Sequence, residues 1–418
     1  MKRLLGVVSI VLSTLVPVEA ESAPSFYLPG KVYAAPGVEC NVYYKNIINS
    51  SVPQNYSYQV AAKVGKARLT RWHWTPKESD AGTTNNLIVT AWNDDGVVAC
   101  LTTQVVVAAL PVNRQKKISF ALFADSLTNS GYPRFIYDDL TQAGCTNFVP
   151  VGSRRPKSDF KGLWIPHDGI PGYTCSQFLC CCHVTEDEFK SAVGTPEYEL
   201  YKRLGKPVKV GDDFDRCWVR SPLIREVNGL PVFNEKGKPV VDVQMWLDRV
   251  NGGRPVEVVM VQLGVNDVIW LKGDELSLRA EIRRGVMPWY KKFLMSLQAV
   301  MPHAHYVFTT QPLGSDQDAF GENYGADFNE VQHRKVMFAL NKEIERFVAE
   351  QSDDRVSLLS AAQAIDPFYG FHTWSHPVNS REKTCKPRAT NAVHLSTSGG
   401  AQLADTMAAW LLVNWDRL

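Results

Sequence analysis

The chain has 418 residues, of which 45% are hydrophobic and 21% are charged. This is an ordinary globular composition, long enough for about two to three domains. The 45 Lys and Arg residues nearly balance the 43 Asp and Glu residues, so the formal net charge is +2. Without a long basic run or an acidic tail, the sequence disfavours nucleic acid and anionic membrane surfaces as partners.

Residues 1–20 have the pattern of a secretory signal peptide. Lys2-Arg3 precedes an apolar run over residues 4–16, and Val18-Glu19-Ala20 supplies the small residues of a cleavage site. The run is shorter than the ~20 residues that span a bilayer, which disfavours a membrane anchor, and no later stretch is predicted to span one. We therefore predict cleavage after Ala20 and a secreted or periplasmic location. In such a location the nine cysteines are expected to form disulfide bonds, and the odd number leaves one over.

Residues 21–112 are predicted to form an immunoglobulin-like β-sandwich domain, because short strand-like runs follow one another without a helical period. These runs cover residues 32–34, 40–44, 56–64, 68–74, 87–92 and 97–107. Cys40 lies in an early strand and Cys100 in a late one, so the two could bridge the sheets. The aromatic run Trp72-His73-Trp74 is interpreted as core residues with one exposed face, in preference to a sugar-binding platform.

Residues 113–418 change to an α/β pattern after a link, residues 110–117, that contains Pro111 and two lysines. Strand-like runs are predicted over residues 118–123, 147–151, 256–263, 305–310 and 356–359. Helices are predicted between them over residues 132–144, 242–251, 276–301, 329–351 and 398–415. Strands that are apolar on both faces and alternate with helices indicate a doubly wound parallel sheet in three α/β/α layers. Catalytic residues are then expected at the carboxyl ends of the strands.

Residues 154–240 interrupt this alternation with a stretch rich in glycine, proline and cysteine. Cys180-Cys181-Cys182-His183 lacks the paired spacing of zinc ribbons, and adjacent cysteines cannot all approach one tetrahedral ion without strain. We therefore expect disulfides that hold a long loop, formed among Cys175, Cys180–Cys182 and Cys217, and no metal or cofactor.

Four polar positions follow the predicted strands or the terminal loop. Ser126 comes directly after the first strand, and Gly152 follows the second. Asn266 follows the third strand, and His394 lies in the loop before the last helix. A hydroxyl, a backbone N–H, an amide and an imidazole together are the groups that acyl transfer requires: a nucleophile, oxyanion donors and a general base.

In their order along the chain, these four positions and the residues around them resemble the four sequence blocks of the SGNH hydrolases, also called GDSL esterases. The resemblance covers nearly the whole region after the link, and it implies that Ser126 is the nucleophile and His394 the base. Gly152 and Asn266 would be the oxyanion donors, beside the Ser126 N–H. The segment His167-Asp168-Gly169-Ile170-Pro171-Gly172-Tyr173 is similar to the stretch that follows the second block in many of these enzymes.

Two positions depart from the family pattern. Ala124 stands where the family has glycine, which removes no catalytic group. Asn391 stands three residues before His394, where the family has an aspartate. An amide can orient an imidazole but cannot stabilise imidazolium by charge. The centre is therefore predicted to be a Ser-His dyad oriented by Asn391 or a backbone carbonyl, or else Asp366 supplies the missing charge.

The resemblance implies an exported serine esterase that removes small acyl groups, most simply acetyl, from a carbohydrate. An esterase acting on lipids or aryl esters is the alternative within enzymes. From another class, a surface-binding protein whose hydrolase domain has lost activity remains open, because of Ala124 and Asn391. The sequence does not define the oligomeric state.

Overall fold

A computed structural model describes residues 24–154, 165–203, 220–325 and 328–418. The predicted signal peptide and Cys217 lie outside the described residues. In the part of the chain that the structure describes, no helix is long and apolar enough to cross a membrane.

The first part of the chain forms small β-sheets. Its strands are β1 (Ser25–Phe26), β2 (Lys31–Ala34), β3 (Cys40–Tyr43), β4 (Ile48–Asn49), β5 (Ser57–Ala62), β6 (Lys66–Ala67), β7 (Arg71–Trp74), β8 (Thr84–Asn93) and β9 (Gly96–Val107). One sheet has the order β2-β9-β8-β5 and another the order β3-β7-β6. Val42 and Trp72 from the smaller sheet share a buried core with Leu87 and Val105 from the larger one. Six of these strands, β2, β3, β5, β7, β8 and β9, overlap runs predicted from the sequence, whereas β1, β4 and β6 were not predicted. The immunoglobulin-like assignment stays a prediction.

The predicted disulfide between Cys40 and Cys100 is wrong, because both residues carry free thiols. Cys40 is buried in the core between the sheets, whereas Cys100 is exposed. Successive side chains of a strand point to opposite faces, and Cys100 shares its face with the exposed Thr102 and Gln104 of β9. The thiol of Cys100 therefore points away from that core.

The second part is a mixed α/β structure around a parallel sheet. Its main strands are β10 (Ile118–Ala124), β11 (Phe148–Val151), β12 (Asp168–Gly169), β15 (Val258–Gln262), β16 (His305–Thr309) and β17 (Val356–Leu359), and two short strands, β13 (Glu226–Val227) and β14 (Leu230–Pro231), form a separate hairpin. The sheet has the order β11-β10-β15-β16-β17, and all of these pairings are parallel. The predicted parallel sheet is therefore confirmed.

The helices are α1 (Tyr132–Gln142), α2 (Gln177–Cys180), α3 (Glu186–Ser191), α4 (Pro196–Arg203), α5 (Val243–Asn251), α6 (Val265–Val268), α7 (Glu275–Gly285), α8 (Met287–Gln298), α9 (Gln317–Tyr324), α10 (Glu330–Ala349) and α11 (Thr397–Asn414). Side chains cap several of them, as Asp242 does when it accepts the Met245 N–H at the start of α5. The single helix predicted over residues 276–301 is wrong. The chain breaks at Val286 because Pro288, in the first turn of α8, cannot continue the hydrogen-bond ladder of α7.

In the stretch near residues 154–240, the described contacts differ from the predicted disulfides. Cys175, Cys180 and Cys182 are free thiols. The stretch is tied instead by Arg220, whose guanidinium pairs with Glu188 at 3.0 Å and with Glu226 at 2.8 Å. Among the described residues, no group of three or more His, Cys, Asp or Glu side chains is arranged to hold a metal ion.

The two parts pack against each other. Asn46, in the β-rich part, donates to the backbone carbonyls of Ala362 at 3.0 Å and Ile365 at 2.7 Å. Tyr27 and Ala108 belong to the same buried cluster as the parallel sheet. Near the end of the chain, an antiparallel hairpin of β18 (Thr373–Pro377) and β19 (Cys385–Ala389) projects just before the loop that carries His394.

Candidate active site

Ser126 lies at the carboxyl end of β10, an interior strand of the sheet that is buried along its whole length. The chain then makes a short 3₁₀ turn over Ser126–Ser130, capped by Asp125, whose carboxylate accepts the Leu127 N–H at 3.0 Å. Asp125 and Leu127 are buried, while Ser126 is partly exposed. The turn therefore presents the serine hydroxyl at the edge of the sheet.

The loop before α11 brings His394 to this serine. Ser126 Oγ lies 2.8 Å from His394 Nε2, which is a hydrogen bond. Asn391 Oδ1 accepts the His394 N–H at 2.8 Å, and the Ser315 N–H donates to the Ala392 carbonyl at 2.9 Å. These backbone contacts fix the loop, so the imidazole is placed to take a proton from the hydroxyl.

The environment of His394 favours its neutral form. Burial, reinforced by the nearby His372, lowers the pKa of His394 below its ordinary value. A neutral imidazole can accept the serine proton at neutral pH. Among the residues that the structure describes, no carboxylate hydrogen-bonds to this imidazole.

The two candidate orienting residues make other contacts. Asn391 uses its side-chain oxygen for backbone N–H groups of its own loop, including that of His394. Asp366 Oδ1 accepts the N–H groups of Phe368 and Tyr369, both at 2.9 Å. The geometry is that of a pair, Ser126 and His394, in a loop shaped by Asn391.

Asn266 lies beside the nucleophile turn. Gly264, with φ of 119°, turns the chain from β15 into α6, and a Cβ there would lie 2.7 Å from the Tyr290 hydroxyl. Asn266 Nδ2 donates to the Tyr173 carbonyl at 3.0 Å and approaches Asp125 Oδ2 at 3.4 Å. The amide is therefore held against the residue that precedes Ser126.

Gly152 does not lie beside Ser126, contrary to the expectation from the sequence. The register pairs Val151 with Ala121, so Gly152 is level with Leu122. From Phe123 onward the neighbour of β10 on this side is β12. A Cβ on Gly152 would lie 2.5 Å from the backbone of His167, which covers it. Gly152 is thus level with a residue two positions before the end of β10, which is about 7 Å along the strand at about 3.3 Å per residue.

The turn after β12 occupies the position expected for Gly152. The Ile170 N–H donates to the Ala124 carbonyl at 2.9 Å, directly before the nucleophile turn. Gly169 packs so closely on Thr128 that a Cβ would lie 2.3 Å from its Cγ2. Gly172 has φ of 78°, which favours glycine. The glycines of the His167-to-Tyr173 motif carried this signal in the sequence, although no catalytic role was predicted for them.

Buried carboxyl groups lie under the site. Burial raises the pKa of Asp125 to about 7, and the neighbouring Asp267 adds to the rise. Burial also raises the pKa of Asp267 to about 7, although its carboxylate accepts the Cys175 N–H at 3.1 Å. Asp168, below Gly169, accepts the indole N–H of Trp246 at 2.9 Å. These groups position the loops around Ser126 by accepting hydrogen bonds.

Neither a protein-family model nor a curated protein sequence matches this chain. Among solved structures, it is similar to a carbohydrate esterase family 3 protein from Talaromyces cellulolyticus, at 12% identity and a TM-score of 0.39, over 72% of this chain and 99% of that one. A family two carbohydrate esterase from Clostridium thermocellum, in complex with cellohexaose, gives 11% identity and a TM-score of 0.36, over 95% and 99%. A carbohydrate acetylesterase from Sinorhizobium meliloti gives 12% identity and a TM-score of 0.35, over 71% and 98%.

Proposed function

We propose that this protein is a serine esterase that works through Ser126 and His394. The single observation that carries the proposal is the 2.8 Å contact between Ser126 Oγ and His394 Nε2 at the carboxyl end of an interior strand. As His394 takes the hydroxyl proton, Oγ attacks the ester carbonyl carbon and a tetrahedral oxyanion forms. The imidazolium then gives its proton to the oxygen of the alcohol group as the ester C–O bond breaks. The alcohol departs, and the acyl group remains bound to Ser126 Oγ.

Water completes the reaction by the same groups in reverse. His394 takes a proton from a water molecule, whose oxygen attacks the acyl carbon. Collapse of the second oxyanion releases the carboxylic acid, and Ser126 recovers its proton from the imidazolium. Apart from the ester and water, these steps use only Ser126, His394 and the oxyanion donors.

The oxyanion donors are proposed to be the Ser126 N–H, the Asn266 amide and a backbone N–H of the turn after β12. Asn266 keeps its 3.0 Å bond to Tyr173 and exchanges the longer 3.4 Å approach to Asp125 for the substrate oxygen. Gly152 has no part in this set, because the backbone of His167 covers it. Preorganised donors of this kind are usually a large part of catalysis.

The substrate is proposed to be a small acyl ester, such as an acetyl ester, on a carbohydrate. Trp270, four residues after Asn266, is 68% exposed, and Trp374 on the hairpin before His394 is 70% exposed. Large exposed aromatic rings can stack on the faces of sugar rings. The motif resemblance to SGNH hydrolases and the signal-peptide pattern support the same reading for a secreted or periplasmic protein.

The test is acetate release from acetylated xylan, compared with hydrolysis of p-nitrophenyl acetate and of a long-chain p-nitrophenyl ester. We expect the wild type to release acetate from xylan, and Ser126→Ala and His394→Ala to lose this activity while keeping their circular dichroism spectra. A preference for the long-chain ester would favour a lipid esterase. Full activity in folded Ser126→Ala would overturn the nucleophile assignment.

A further inference from the structure

Asp125 lies directly before Ser126 and is almost fully buried, with 1% of its surface exposed. Its Oδ1 accepts the Leu127 N–H at 3.0 Å, so this oxygen belongs to the turn that carries the nucleophile. Its Oδ2 lies 3.4 Å from Asn266 Nδ2, the amide nitrogen assigned above to the oxyanion. One carboxyl group therefore contacts both the nucleophile turn and a proposed oxyanion donor.

The Asn266 amide divides its two N–H donors between two partners. A primary amide nitrogen carries two such donors. One donates to the Tyr173 carbonyl at 3.0 Å, which leaves the other for Asp125 Oδ2 at 3.4 Å. The second donor is the one that a substrate oxyanion can take. The acceptor strength of Asp125 therefore decides how readily this donor turns to the substrate.

The charge of Asp125 sets that acceptor strength. A carboxylate accepts a charge-assisted hydrogen bond, which is roughly twice as strong as a neutral one. A carboxyl group with its proton on Oδ2 cannot hold the amide in the same way, because Oδ2 then carries a donor. Oδ1 can accept the Leu127 N–H in either state. Protonation therefore releases Asn266 and keeps the cap of the nucleophile turn.

The groups packed around Asp125 favour its neutral form. Burial raises the pKa of Asp125 to about 7, and Asp267 on α6 adds to the rise. Tyr132 on α1 and Tyr290 on α8 also lie near it, and burial raises the pKa of both hydroxyls, so they stay neutral. The Cys175 N–H donates to Asp267, and burial raises the pKa of the Cys175 thiol, which stays neutral too.

His394 is the remaining titratable group beside Ser126. Burial lowers the pKa of His394 below its ordinary value, whereas burial raises that of Asp125. The site therefore holds a base that is neutral and a carboxyl group that is protonated over a shared range of pH. Two groups with pKa values moved apart in this way limit a reaction from the acidic and the alkaline side.

We propose that Asp125 is a positioning residue that acts through Asn266: its protonated form frees the amide for the oxyanion, and its ionised form holds the amide back. The proposal rests on the esterase function proposed above. Hydrolysis then needs neutral His394 and protonated Asp125 at the same time. The pH profile of kcat/KM should have an acidic limb from His394 and an alkaline limb from Asp125.

The test is the pH profile of p-nitrophenyl acetate hydrolysis, corrected for the reaction without enzyme. In the wild type, kcat/KM should fall by up to about tenfold per pH unit above about pH 7, as the protonated fraction of Asp125 falls. Asp125→Asn should lack this alkaline limb, because its amide supplies an oxygen for Leu127 and a nitrogen in place of the protonated Oδ2. A wild-type profile that stays flat from about pH 7 to about pH 9 would overturn the proposal. An alkaline limb that persists in folded Asp125→Asn would do the same.

Matched variants separate Asp125 from its neighbours. Asp274 caps α7 as Asp125 caps the nucleophile turn, so Asp274→Asn should keep the alkaline limb. Asp267→Asn should keep the limb but move it to lower pH, because Asp267 raises the pKa of Asp125. Loss of the limb in Asp267→Asn would assign the titration to Asp267 and refute the proposal. In Asn266→Ala the limb should nearly disappear, and a limb of full amplitude would mean that Asp125 does not act through the amide.

Carbon NMR of protein with isotope-labelled aspartate reads the protonation of Asp125 without a substrate. The carboxyl resonance that is missing in Asp125→Asn should titrate near pH 7, and titration near about pH 4 would contradict the proposal. If Asp125→Asn fails to fold, the wild-type profile and Asp267→Asn still decide. Titration near pH 7 without hydrolysis of any ester would contradict the esterase itself. Hydrolysis without an alkaline limb would contradict only the role of Asp125.

Discussion

Replacing Gly169 by alanine should displace the turn that carries Ser126. The new Cβ would lie 2.3 Å from Cγ2 and 2.4 Å from Oγ1 of Thr128. Non-bonded carbon atoms in contact are about 3.5 Å apart or more, so the two residues must separate by more than about 1 Å. Thr128 lies in the same 3₁₀ turn as Ser126, and its hydroxyl donates to the Asp125 carbonyl at 2.8 Å. The displacement therefore reaches the nucleophile.

A misplacement of about 1 Å can cost about 100-fold in rate, so kcat for p-nitrophenyl acetate should fall by about that factor in Gly169→Ala. Overpacking should also lower the unfolding free energy by about 1–3 kcal/mol. The matched control is Gly285→Ala, where a Cβ meets nothing within 4 Å and activity should be unchanged. Adding Thr128→Ala, which removes the two closest atoms, should restore part of kcat. A folded Gly169→Ala with kcat within about twofold of the wild type would refute the packing argument.

The remaining predictions concern His394, the oxyanion and a buried carboxyl group. Asn391→Asp adds a negative charge to the loop, so the pKa of His394 should rise by about 1–2 units. The acidic limb of the pH profile of kcat/KM should then move to higher pH. An unchanged pH profile would mean that residue 391 does not act on the imidazole. Asp366→Asn should keep kcat within about threefold, because an amide oxygen can accept the same backbone N–H groups, and a loss on the order of 10⁴ would make Asp366 a triad member. Asn266→Ala should lower kcat by about 10²–10³ at similar KM, and an unchanged kcat would place the oxyanion elsewhere. Burial raises the pKa of Asp267 to about 7, so the folded protein keeps a proton that the unfolded chain loses near pH 4. Asp267 alone should then lower the unfolding free energy by up to about 4 kcal/mol between about pH 4 and pH 7, in addition to the contribution of Asp125. Asp267→Asn should therefore reduce this slope in urea titrations, and an equal slope in the variant would contradict the shift.

The parallel sheet could be predicted because each strand is itself a run of apolar residues. Every residue of β10 is buried, as expected for a strand covered by helices on both faces. The carboxyl ends of parallel strands meet at one edge, which accounts for the position of Ser126 and of Asn266 after β15. These positions follow from local sequence, whereas the catalytic roles of the two residues stay proposals.

The features that the sequence did not reveal depend on contacts distant along the chain. β12 has only two residues, and it is a strand because it pairs with the end of β10, more than forty positions earlier. Its insertion there moves the site away from Gly152 and towards the turn that contains Gly172. The free thiol of Cys100 depends on which face of β9 meets the other sheet, and cysteine spacing does not reveal that face. The buried hydrogen bond from Arg334 to the Lys45 carbonyl likewise joins two parts of the chain that are distant in sequence.

The most direct measurement of the central claim is covalent labelling by a fluorophosphonate probe, followed by peptide mass spectrometry of the folded protein. If His394 activates Ser126, the wild type should gain one adduct, on the peptide that contains Ser126. Labelling should be much slower in His394→Ala and absent in Ser126→Ala, while Asp366→Asn should label like the wild type. Folded wild-type protein that gains no adduct, or an adduct that persists in Ser126→Ala, would contradict the account.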